Sequence, residues 1–140
     1  MGKKRKVGWK DNWFDGPFVL IPYELIDSKA YMELKGAGVR ALMLCMRKVK
    51  EMKGTERFKV LFSLTFREAR EKGFCDATFW RSMKSLQRLG FVDCEMRGGL
   101  RNENKYATIY RLSLRWKKYG TPDFDYIPPG SCEQINGGPF

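Results

Sequence analysis

The chain predicts an α+β domain, with helices first and a small antiparallel sheet after them, on three observations. Apolar residues recur at helical spacing over 38–52 (Val39, Leu42, Met43, Met46, Val49) and over 76–89 (Phe79, Met83, Leu86). Two later stretches alternate instead, with Val92, Cys94 and Met96 on one face and Tyr110, Leu112 and Leu114 on one face. The length of 140 residues, at 43% hydrophobic and 31% charged, suits a single globular core.

Taken in order, residues 1–17 read as a basic N-terminal arm closed by Gly16-Pro17, with Trp9, Trp13 and Phe14 suited to docking part of it. The folded domain spans 18–118. Pro22 starts a short helix or two broken turns through Tyr23, Leu25, Ile26, Ala30, Tyr31 and Leu34, punctuated by Gly36-Ala37-Gly38. The amphipathic helix of 38–52 stops near Gly54. Phe58, Val60, Phe62 and Leu64 then alternate with Lys59, Leu61 and Ser63, the period of a half-buried strand. A helix over about 65–72 follows, capped by Ser63 or Thr65, with Glu68 in capping-box register to Thr65. After Gly73-Phe74-Cys75 comes the helix of 76–89, stopped by Gly90. Strands at 91–96 and 107–114 enclose RGGLRNENK, a basic, glycine-containing hairpin loop. Residues 119–140, with four of the six Pro and no periodicity, are expected to form an extended C-terminal tail.

The absence of His excludes Ser-His-Asp and Cys-His triads, imidazole proton shuttles and His-ligated metals. Cys45, Cys75, Cys94 and Cys132 contain no CxxC pair, which argues against a zinc site. The basic N-terminus lacks the apolar segment of a secretory signal, and no apolar run approaches the roughly 20 residues of a spanning helix. The four cysteines are therefore expected as reduced, small buried hydrophobes in a cytoplasmic, nucleoid-associated protein without a membrane. No nucleophile has a base beside it, so no enzyme, cofactor or metal is expected.

The formal charge is +11 and unevenly spread. Lys3, Lys4, Arg5, Lys6 and Lys10 stand without an acid in residues 1–10. Over 97–118, Arg97, Arg101, Lys105, Arg111, Arg115, Lys117 and Lys118 face Glu103 alone. The tail reverses sign with Asp123, Asp125 and Glu133. Cations concentrated in two places repel one another unless they meet a polyanion, nucleic acid first and an anionic membrane surface second.

Leu64-Thr65, Glu68-Ala69, Thr78, Phe79, Met83, Leu86, Gly90, Phe91 and Val92 run through SLTFREAREKGFCDATFWRSMKSLQRLGFV. This pattern, with the element order, resembles the winged helix-turn-helix DNA-binding proteins of bacteria and phages, both replication-initiator modules and small regulators. IPYELIDSKAYMEL and YRLSLRWKKYGTPDF resemble replication-type members. The likeness covers about residues 18–125. It implies three to four helices and a small antiparallel sheet with a basic wing. Two departures stand out: Cys75 occupies the usual place of a Ser cap, and Phe79-Trp80 replaces smaller residues.

Such a fold lays its second helix in the major groove. With Phe79, Met83 and Leu86 inward, helix 76–89 presents Ala77, Thr78, Arg81, Lys84, Ser85 and Arg88. Arg81 and Lys84 suit guanine O6 and N7, Thr78 a base edge or phosphate, and Ala77 a thymine methyl. Arg67 and Arg70 would clasp the backbone. Arg97, Arg101 and Lys105 on the wing (97–105) and Lys3, Lys4, Arg5 and Lys6 on the arm would meet phosphates or the minor groove. KKRKV also resembles a short nuclear-import signal, against which the bacterial and phage likeness argues, and a solubility feature is the other alternative to the DNA-contacting arm. The expected function is sequence-specific duplex DNA binding, as a transcriptional regulator or a replication initiator of a plasmid, phage or mobile element. A homodimer on DNA is expected, with the N-terminal aromatic segment or the tail as protein contact. An RNA-binding or protein-interaction module is the alternative.

Overall fold

The computed structural model describes residues 16–52, 56–101 and 104–134, with side chains omitted at 99–101, 104–106 and 133–134. Among these residues the chain is α+β, with five α-helices and a small sheet. The broken start follows from local chemistry. Pro22 precedes α1 (Tyr23–Ile26), and the Ser28 hydroxyl caps α2 (Lys29–Glu33) by accepting from Tyr31 N at 3.1 Å. The next helix, α3 (Gly36–Glu51), begins earlier than the sequence suggests: Gly36-Ala37-Gly38 form its first turn instead of interrupting the chain. Gly38 is buried there against Leu34, whose Cδ2 would stand 2.7 Å from a Cβ at that position.

The strand expected from Phe58 to Leu64 is a second correction. Arg57–Lys59 form a 3₁₀ turn, and β1 is only Phe62–Ser63. Lys59 N and Val60 N donate to Glu56 O and Arg57 O, so local turns satisfy the backbone where a ladder was expected. Phe62 and Leu64 are buried as the alternation requires, whereas Phe58 is exposed. Thr65 then begins α4 (Phe66–Glu71), which ends any further pairing. The helix α5 (Asp76–Leu89) matches its expected bounds.

The sheet order is β1-β5-β2-β6, with β2 at Val92–Arg97, β5 at Ile109–Leu112 and β6 at Glu133–Gln134. The antiparallel pair β2 and β5 sets Val92 opposite Leu112 and Cys94 opposite Tyr110, with a register shift between Cys94 and Met96. Between them β3 (Gly99–Arg101) and β4 (Asn104–Tyr106) form a separate hairpin. Leu114, expected on the β5 face, lies beyond the strand and is exposed.

The tail departs most from expectation. It turns back, and β6 (Glu133–Gln134) pairs in parallel with Met96 and Arg97 of β2. That return brings Cys132 to a Cα separation of 6.2 Å from Cys94, and the two form a disulfide. Neither is the reduced thiol expected. Cys75 is exposed, and among the four only Cys45 is the buried hydrophobe anticipated.

The core lies where α3, α4 and α5 meet the inner face of the sheet, with Leu42, Cys45, Phe62, Leu86, Leu89, Phe91 and Val92 nearly inaccessible. Burial of each large apolar side chain contributes about 1.5–3 kcal/mol. Trp116, on a 3₁₀ turn (Arg115–Lys118), stacks on Phe91 with ring centroids 5.8 Å apart and closes the core edge. No helix of the described residues is long and apolar enough to cross a membrane.

Candidate nucleic-acid interface

Two helices and a four-residue turn orient the exposed cations. Thr65 is the cap of α4: its hydroxyl accepts from Glu68 N at 3.0 Å, and Glu68 Oε1 accepts from Thr65 N at 2.9 Å. Glu68 Oε2 pairs with Lys48 of α3. Partial burial raises the Glu68 pKa, but the Lys48 and Thr65 hydrogen bonds and the Lys48 charge outweigh it and hold the carboxyl below its ordinary value. Gly73 turns the chain at φ +95°, and buried Phe74 donates its N–H to Ala69 O at 3.0 Å. Arg40 covers the Phe74 ring at 4.4 Å and donates to Lys72 O.

The orientation of α5 is fixed by Phe79, whose ring meets Phe66 and Phe74 edge-on at 5.5 and 5.7 Å. Arg70 bonds Asp76 through Nε at 2.8 Å and Nη2 at 3.2 Å, tying α4 to the first turn of α5. This pairing holds Asp76 below its ordinary pKa. Arg67 and Arg70, expected to clasp a backbone, lie beside Glu71 at 3.8 Å and Asp76 at 2.8 Å.

With that stripe inward, Ala77, Arg81, Lys84 and Arg88 are exposed along one side of α5, and Thr78 and Ser85 are half-buried beside them. Arg81, Lys84 and Arg88 have no carboxylate partner among the described residues. Thr78 Oγ1 lies 3.5 Å from Arg81 Nη2 and 3.2 Å from the Cys75 sulfur. The Thr78 hydroxyl, the Thr78 and Ala77 N–H groups and the Arg81 charge lower the Cys75 pKa. As expected from the Ser-to-Cys departure, Cys75 makes no side-chain cap bond to the backbone of α5.

The cations of 97–118 divide into two sets. Arg115 is largely buried and spans Asp93 Oδ1, Gln87 O and Asp125 O, at 2.9, 2.9 and 2.8 Å. Arg111 pairs with Glu95 at 3.0 Å and Asp93 at 3.6 Å, and Lys117 with Glu24 at 3.5 Å. Arg111 braces the sheet and Arg115 ties it to the tail, around a cleft of about 150 Å³ lined also by Gln87, Ile127, Pro128 and Ser131. Arg97 is exposed, but its Nε donates to Cys132 O at 3.3 Å, toward the tail. In the β3–β4 hairpin, Arg101 stands opposite Asn104 and Lys105 opposite Leu100. Lys3, Lys4, Arg5 and Lys6 lie outside the described residues.

The structure therefore brings the α5 residues together on one face, while Arg97 belongs to the tail junction. Sequence reasoning missed Gln87, buried because its Oε1 accepts from Gly130 N at 2.7 Å and its Nε2 donates to Met83 O. It also missed the Asp93–Arg115 centre. No local signal marks either, since the Gln87–Gly130 bond depends on the tail's return and the Asp93–Arg115 pair on β2 meeting the chain after β5. No protein-family model matches the chain, and no curated protein or solved structure does.

Proposed function

We propose that this chain is a winged helix-turn-helix protein that binds duplex DNA in a sequence-specific way, with α5 as recognition helix and the β3–β4 hairpin as wing. One observation carries the reading: Arg81, Lys84 and Arg88, with Ala77 on the same side, form a cationic row without acidic partners among the described residues, on a helix whose rotation Phe79 and the Arg70–Asp76 pair hold fixed. A single α-helix fits the major groove, where Arg81 and Lys84 can donate to guanine O6 and N7. Arg101, Lys105 and, on leaving Cys132 O, Arg97 supply phosphate contacts beside it. The thiol of Cys75 lies at the entry to this face. The arm residues Lys3, Lys4, Arg5 and Lys6 would add sequence-blind affinity.

The role is that of a regulator or replication initiator of a plasmid, phage or mobile element, acting as a homodimer that doubles a short half-site. Since the tail folds on its own β2, the exposed Leu20, Tyr23 and Met32 are the better dimer contact. Selection of bound duplexes from a random pool, followed by gel shifts across a salt series, tests the reading. A recovered consensus with a log–log salt slope of roughly −4 to −5 is expected. A flat slope and no consensus would refute it.

A further inference from the structure

Trp80 is 53% exposed, although the core-facing side of α5 has ample apolar residues in Phe79, Met83 and Leu86. The Lys84 ammonium sits 4.1 Å from its ring centroid, a cation–π pair between i and i+4 that restrains both side chains. Trp80 precedes Arg81 and stands one turn from both Ala77 and Lys84, so the indole flanks the proposed reading face instead of lying behind it. A surface Trp leaves apolar area in water without serving the core, and here its only described partner is a cation of that same face.

We infer that Trp80 is a specificity-determining residue that packs its indole against the C5-methyl group of a thymine in the major groove. The inference rests on the duplex-DNA reading above. Thymine is the one base that offers the major groove an apolar group, and Trp80 is the largest apolar surface beside Arg81 and Lys84. Ala77 presents a single methyl on the same face and covers far less. Holding Lys84 against the ring sets the two contacts at a fixed spacing: methyl recognition by the indole and acceptor recognition by the ammonium. The bound site should then contain a thymine next to the position that Lys84 reads.

The experiment replaces each thymine of the selected duplex by deoxyuridine, one at a time, which deletes a methyl and keeps every hydrogen-bonding group. One replacement should weaken binding by wild type about three- to tenfold and leave Trp80→Ala unaffected. Trp80→Phe should keep part of the sensitivity, and thermal melts of both variants should stay close to wild type. Binding to a consensus without a thymine that couples to Trp80, or equal uracil effects in wild type and Trp80→Ala, would overturn the inference. Absence of any duplex preference would instead overturn the parent reading.

Discussion

The backbone nitrogen of Trp116 donates to the carbonyl of Gly90 at 3.1 Å, so the residue that ends α5 also seats the tryptophan that closes the core. Gly90 has φ +92°, and a Cβ there would meet Trp116 N at 2.7 Å and Arg115 C at 2.9 Å. Both obstacles are backbone atoms. Gly90→Ala should therefore cost about 2–3 kcal/mol, from left-handed strain together with the clash. Gly73→Ala shares the positive φ but meets only the tip of Arg40 at 3.3 Å, and should cost about 1 kcal/mol. Urea midpoints of the two variants check the ordering.

The cap of α4 gives a second expectation. Thr65→Ala removes the acceptor for Glu68 N and should destabilise the fold by about 1 kcal/mol. Glu68 is held below its ordinary carboxyl pKa of 4.5, so its contribution is complete above that value and is lost as pH falls through the folded pKa. Between pH 7 and pH 3, wild type should lose more stability than Glu68→Gln, measured by denaturant titration at each pH. Equal losses would separate the carboxylate from the cap.

On the proposed reading face, Arg81→Ala and Lys84→Ala should each cost about 1–3 kcal/mol on the selected site and little on random duplex. Competition binding with both duplexes measures the difference. Equal losses on the two would show that α5 touches only backbone.

For the hairpin, Arg97→Ala, Arg101→Ala and Lys105→Ala combined should weaken binding on every duplex. The salt slope should flatten by about two units, because Arg97 already donates to Cys132 O. Folding should change by under about 0.5 kcal/mol per substitution. An unaltered slope would leave the hairpin as a connector.

What was legible in the sequence was the chemistry encoded within a few residues. The Phe79–Met83–Leu86 stripe, the Thr65–Glu68 capping box and the Gly90 stop each act over one or two helical turns, and α4 and α5 follow from them. Phe58–Leu64 was not legible, because its alternation is necessary for a strand but the partner decides its length. β5 accepts only Phe62 and Ser63. The charge pattern likewise overcounted exposed cations, since Arg111 and Arg115 answer acids that β2 brings to them. Of the site, the α5 face could be read, and the capture of Arg97 by the tail could not.

The Cys94–Cys132 bond, with a sequence separation of 38, makes a covalent ring that contains the whole β3–β4 hairpin and β5. A single peptide-bond cut anywhere on that ring leaves one molecule instead of two. A nicked protein would keep its mass under oxidising conditions and part into two fragments only when a thiol is added. The hairpin that carries Arg101 and Lys105 in its sequence can thus be severed without the C-terminal portion being lost, so backbone continuity through this segment is separable from covalent integrity of the chain.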